Sequence, residues 1–140
     1  MDDSALRFER EIIALGQHLR ARPRSTDLAL DKSAYHILLL LDNTESCTLR
    51  EIADALELEQ STVNRQVNKA IGAGLLEATG TTCPKPIRPT DAGRAAFAHD
   101  RAHKLRTIAS SLGQLPPAER ESLISGLEAL NTALEADPQP

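Results

Sequence analysis

Eight prolines divide this 140-residue chain, and their placement limits its fold more than any other feature. They stand at positions 23, 84, 86, 89, 116, 117, 138 and 140, so residues 1–22, 24–83, 90–115 and 118–137 are free of them. Proline lacks a backbone donor and its ring clashes with the preceding turn, so helix interiors exclude it. The free stretches are where helices can run. The cluster at 84–89 marks a stiff, non-helical connection.

Six helices are expected. The first runs from about Ser4 to Arg22, with Phe8, Ile12, Leu15 and Leu19 at 4-3-4 spacing on one face. Arg22 to Asp27 reads as a loop. The second starts near Asp31, a good N-cap, and carries YHILLLL from Tyr35 to Leu41. It is apolar nearly all round, which predicts a buried central helix. TLRE, from Thr48 to Glu51, is a capping box opening a short third helix whose Leu49, Ile52, Ala53 and Leu56 face inward. After a break at Glu57 to Glu59, a fourth helix runs from Gln60 to about Ala73 and stops at Gly74. Val63, Val67, Ala70 and Ile71 form its apolar stripe.

Leu75 to Ala78 reads as a strand, TGTTCPKP from Thr79 to Pro86 as a tight loop, and Ile87 with Arg88 as a short returning strand. Thr90 caps a fifth helix from Asp91 to about Leu112, with Phe97, Leu105, Ile108 and Leu112 expected inward. Gly113 ends it. Pro117 opens the sixth helix, where Leu123, Leu127, Leu130 and Leu134 repeat at 4-3-4. The fold class is therefore mainly α with a small β wing.

The length suits one domain, here residues 1–140, and 41% hydrophobic with 26% charged residues suits a soluble globular chain. No apolar run approaches the ~18 residues of a membrane span. The acidic start MDDSALRFEREI has no signal-peptide core, and Cys47 and Cys83 are too few for a disulfide framework. A cytoplasmic location without membrane partners is the expectation. The net charge of −4 at first disfavours a nucleic-acid partner.

Two short helices joined by a tight break, then strand, loop and strand, describe a winged helix-turn-helix. Opposite the apolar stripe, the helix from Gln60 offers Gln60, Ser61, Thr62, Asn64, Arg65, Asn68 and Lys69, with no acid among them. Such a face suits the major groove, where arginine reads guanine, asparagine or glutamine reads adenine, and hydroxyls hold phosphate. The same face, taken alone, also fits an ordinary solvated helix surface.

TLREIADALELEQSTVNRQVNKAIGAGLLEA, followed by PIRPTDAGRAA, resembles the MarR family of winged helix-turn-helix regulators. The likeness is carried by Ile52, Ala53, Leu56, Gln60, Ser61, Thr62, Val63, Arg65, Val67, Lys69, Gly74 and Leu75, then by Thr90 and Gly93. The helix order extends it over nearly the whole chain. It implies a winged helix at about 31–90, flanked by dimerisation helices at about 4–22 and 91–136. It also implies a homodimer on an inverted-repeat DNA operator, usually repressing nearby genes and often released by a small-molecule effector. No cofactor or enzymatic activity is implied.

The wing departs from the family pattern. The family's Asp-x-Arg element is not evident, and Thr81, Thr82, Cys83, Pro84 and Lys85 stand in its place. Backbone contact there would fall to Lys85 and Arg88. The dimer interface would use Phe8, Ile12 and Leu15 with Leu123, Leu127, Leu130 and Leu134, unless these residues pack into one protomer's core. Tyr35 and His36 are the effector candidates, and both also fit a core role.

Other constellations are weaker. His99 and His103 have i, i+4 metal-ligand spacing, but no third ligand can be named, so no metal site is expected. The alternatives to the regulator are therefore a winged-helix protein-interaction module that never touches DNA, or a metal-responsive sensor. No nucleophile stands beside an obvious base, and there is no phosphate-binding glycine loop. Divided by segment, residues 60–90 set Arg65, Lys69, Lys85 and Arg88 against Glu77 alone, a net of +3 that leaves −7 on the rest. The acidic total thus conceals a basic stripe.

Overall fold

The computed structural model describes residues 2–22 and 27–137. Its elements are α1 (Asp3–Ala21), α2 (Lys32–Leu41), α3 (Leu49–Leu56), α4 (Gln60–Gly72), β1 (Leu76–Ala78), β2 (Ile87–Pro89), α5 (Asp91–Leu112) and α6 (Pro117–Ala136). Most of the loop expected from Arg22 to Asp27 lies outside the described residues. No helix among the described residues is long and apolar enough to cross a membrane.

Local signals set the helix starts. Asp2 caps α1 through Ser4 N, and Asp31 caps α2 through Ala34 N. The box at α3 closes in both directions, with Glu51 N donating to Thr48 Oγ1 at 3.2 Å and Thr48 N donating to Glu51 Oε1 at 3.1 Å. Between α3 and α4 the chain turns through Glu57 at φ 53, a left-handed conformation held by its amide on Ala53 and Asp54 carbonyls. Gly74, at φ +77, makes the next sharp turn, into β1, where a side chain would be strained.

The core is the winged-helix body. Ile37, Ile52 and Val63 are wholly buried and Val67 nearly so, and they pack with Leu38, Leu41, Leu76, Ile87 and Phe97. Burying each such side chain contributes about 1.5–3 kcal/mol. α2 is less enclosed than its composition suggests, because Leu39 is exposed while Ile37, Leu38 and Leu41 are buried. β1 and β2 pair antiparallel, Leu76 with Pro89, Glu77 with Arg88 and Ala78 with Ile87. Cys47 adds an unforeseen third line to this wing, exchanging backbone bonds with Ile87 at 3.0 and 2.7 Å.

The end helices differ from the expectation. α1 and α6 contribute no buried residue. On α5, Phe97 is buried as expected, but Leu105 and Ile108 are about half exposed and Leu112 is only partly covered. The reason is geometric. The buried residues of α5, Gly93, Phe97 and Asp100, all lie in its first half, where it packs on α2 and β2, and Leu105 and Ile108 lie beyond them.

Two tight features join α5 to the body. Thr90 Oγ1 accepts from Gly93 N at 3.0 Å and donates to the Gly74 carbonyl, while Thr90 N donates to Leu75 O at 3.1 Å. Gly93 lies so close to Leu75 that an added Cβ would overlap the Leu75 carbonyl oxygen. Further along, Asp100 is fully buried and accepts from Ala29 N at 2.9 Å and Leu30 N at 2.8 Å, with His99 Nδ1 at 3.1 Å.

Gly93→Ala is expected to cost about 1–3 kcal/mol, the penalty for overfilling a packed site. Urea unfolding would show it as a lower midpoint. A second expectation concerns acid. Burial pushes the Asp100 carboxyl up, but the Ala29 amide, the His99 ring and the Leu30 amide outweigh it and hold the group below its ordinary 3.8. A carboxylate depressed in the folded state adds stability above its unfolded value, and that stability is lost as pH falls through the folded value. Urea midpoints taken down to about pH 3 should therefore show a loss below about pH 4 that is smaller in Asp100→Asn, the remainder including Asp2 and Glu51, whose carboxyls hydrogen bonds also hold low.

Candidate nucleic-acid interface

The helix-turn-helix turns α4 so that its apolar stripe is consumed by the body. Val63, Val67 and Ala70 are buried, and Ile71 is partly covered. The remaining face is presented outward. Gln60, Ser61, Asn64, Arg65, Asn68 and Lys69 are exposed, and Thr62 is half-buried. Glu59 precedes the helix without a side-chain capping bond, so no side chain of the cap occupies the first-turn amides. One turn apart, Asn68 Nδ2 donates to Asn64 Oδ1 at 3.3 Å, which aligns two amide side chains on the same surface.

The cations are less free than segment arithmetic suggests. Lys69 Nζ lies 3.2 Å from Asp31 Oδ2, an acid from outside the 60–90 stretch. Arg88 Nε lies 2.6 Å from Glu77 Oε1, directly across the wing. Among the described residues Arg65 and Lys85 have no ion pair. Asp31 is distant in sequence from Lys69, and only its helix-capping role is visible in the sequence. Both ion pairs are solvent-exposed, and such pairs are worth about 0–1 kcal/mol, so a phosphate can draw Arg88 from Glu77, while the three donors of Lys69 let it meet a phosphate and keep Asp31.

The wing loop is closed by Thr79 N donating to Pro86 O at 2.9 Å. Lys85 stands exposed beside that closure, and Arg88 lies on β2. The wing is thus short and basic, with its arginine braced against Glu77.

A cleft of about 770 Å³ lies behind the wing, between the end of α2, residues 42–46, β2 and α5. Leu38, Leu41 and Phe97 give it apolar wall, while Arg88, Arg94 and Arg101 reach it from the wing and α5. Neither proposed effector residue lines this cleft. Tyr35 is half-buried, its ring 5.1 Å from Phe97 and 4.6 Å from Lys104 Nζ, and His36 is exposed. Cys47 is buried and Cys83 exposed, on separate parts of the wing. His99 is turned to Asp100, and among the described residues no three His, Cys, Asp or Glu side chains gather as a metal set.

Helix order, turn and hairpin define a winged helix-turn-helix. The MarR family model matches residues 30–83, which span α2 through the wing loop. A MarR family protein from Bacillus stearothermophilus superposes with a TM-score of 0.85 at 18% identity, over 96% of this chain and 99% of that one. A protein from Mycobacterium tuberculosis gives 0.68 at 25% identity, over 98% of this chain and 92% of that one. A second Mycobacterium tuberculosis structure, a MarR family protein in complex with DNA, gives 0.61 at 22% identity, over 72% and 77%. No curated protein matches the chain in sequence. Residues 30–83 thus match the MarR family model, and the chain as a whole has the fold of the MarR family structures it superposes on.

Proposed function

We propose that the chain is a homodimeric, sequence-specific DNA-binding repressor of nearby genes, released by a small-molecule effector. The observation that carries this reading is the outward face of α4, which is exposed, polar, cationic at Arg65 and Lys69, and free of carboxylates. The DNA-bound MarR relative supports it by fold.

In this reading α4 enters the major groove. Arg65 and Lys69 contact guanine or phosphate, and Ser61, Thr62, Asn64 and Asn68 read or anchor. Gln60 holds the backbone at the helix start. Lys85 and Arg88 take phosphate beside the groove, with Arg88 leaving Glu77 to do so. Two protomers meet through the faces that a single chain leaves bare: Phe8, Ile12 and Leu15 on α1, and Leu123, Leu127, Leu130 and Leu134 on α6. Leu105 and Ile108 of α5 extend that surface. An exposed apolar area of this extent is unusual on a monomer. The pairing sets the two α4 helices roughly 34 Å apart, one turn of DNA.

The cleft behind the wing is the better candidate for the effector than Tyr35 and His36. It touches both α5 and β2, so an occupant would bear on the dimer helices and the wing together. A ligand favouring one spacing of the α4 helices would shift the population toward it.

Gel shifts at low salt with DNA flanking the gene test the core of this reading. Arg65→Ala should weaken the specific complex by about 10- to 100-fold. Glu77→Gln, which removes the competitor for Arg88, should tighten binding to any duplex while leaving the salt slope nearly unchanged, because Arg88 contacts phosphate in both proteins. Absence of any sequence preference in the wild-type protein would sink the proposal. Sedimentation tests the dimer separately. Leu127→Asp should give a monomer that has lost tight operator binding, and a wild-type protein that sediments as a monomer would refute the interface.

A further inference from the structure

Asp100 is the one fully buried charged side chain among the described residues, and neither the proposed DNA face nor the cleft uses it. Its two oxygens are divided between successive amides. Ala29 N donates to Oδ1 at 2.9 Å and Leu30 N to Oδ2 at 2.8 Å. Those amides lead directly into α2. The next residue, Asp31, faces two ways: Oδ1 accepts from Ala34 N at 2.8 Å to cap α2, and Oδ2 meets Lys69 Nζ at 3.2 Å on α4. A chain of directional polar contacts therefore runs from α5 through residues 29–31 to the recognition helix. Buried Leu30 seats the middle of that chain in the core.

We propose that Asp100 is a positioning residue for DNA recognition, holding α5 in register with α4 through the Ala29–Asp31 backbone and Lys69. The inference rests on the dimeric DNA-binding reading, because α5 leads into the surface where the second protomer would dock. Apolar contacts between α2 and α5 resist separation but tolerate sliding. Two charge-assisted bonds to neighbouring amides tolerate little. The chemistry also argues for this role over simple stabilisation. A buried carboxylate is an inefficient source of stability, since apolar replacements of buried ions are often neutral or better, and its best-attested use is to fix register. Two adjacent donors require two acceptors. Asparagine keeps one and sets its own N–H against the second amide.

The test compares wild type and Asp100→Asn on three DNA sets: the operator, operators with half-sites moved by single base pairs, and unrelated duplex of equal length. The inference expects Asp100→Asn to bind the operator about tenfold more weakly, with affinity for unrelated duplex changed by less than about twofold. It also expects the preference for one half-site spacing to flatten. Loss of a merely structural contact would instead lower both affinities together and leave the spacing profile unchanged, which would overturn the inference. If Asp100→Asn does not fold, Asp31→Asn serves, since it retains a capping oxygen but weakens the hold on Lys69. It should flatten the same spacing profile without weakening binding to unrelated duplex, and an unchanged profile would refute the relay. A wild-type protein with no operator preference removes the DNA reading and this inference together. An operator preference in wild type, shared unchanged by both variants, removes the positioning role alone.

Discussion

The three parts of the molecule meet at Thr90. Its hydroxyl donates to the Gly74 carbonyl at the end of the recognition-helix turn and accepts from Gly93 N in the first turn of α5, while its amide bonds Leu75 beside the wing. Gly93 permits the close approach, because any side chain there would overlap the Leu75 carbonyl. One threonine and one glycine thus tie the recognition helix, the hairpin and the long exit helix into a single rigid corner. With that corner loosened, the wing and α5 would lose their common reference, and α4 would no longer be aimed relative to the helices beyond it.

Stability and function are placed at opposite ends of the chain's hydrophobicity. The apolar side chains of α2, α3, α4 and the hairpin are spent on the body. Those of α1, α6 and the outer half of α5 remain in water in the single chain. That exposure is costly for a monomer, and in the proposed dimer the same leucines would supply association. The charges are distributed in a similar way. The α4 face carries cations without acids, yet Asp31 and Glu77 restrain Lys69 and Arg88 from neighbouring elements. In the proposed DNA-binding role, such restraint would lower indiscriminate attraction to phosphate and leave specificity to a few contacts.

Much of this was legible in the residues. Capping signals at Asp31, Thr48 and Thr90 located three helix starts, because a cap is a local interaction spanning three or four residues. The stripe Val63, Val67 and Ala70 identified the buried side of α4, and hence the face left over. Less legible were features made by residues far apart. Cys47 pairs with Ile87 across a span that no periodicity marks. Asp100 looks in sequence like a polar neighbour of His99 on a helix surface, and its burial follows only from the docking of residues 29–30.

The sequence by itself determined where helices start and stop, that a short hairpin follows the second helix of the turn, and which face of α4 is polar. Those properties depend on proline, glycine, capping side chains and a 3.6-residue period, all of which act within a few positions. Only the tertiary structure decided that Leu105 and Ile108 stay in water, that Lys69 answers to Asp31, and that a buried carboxylate links α5 to the approach of α2. The physical reason is that burial and charge pairing depend on which surfaces meet, and that is set by packing between elements, not within them.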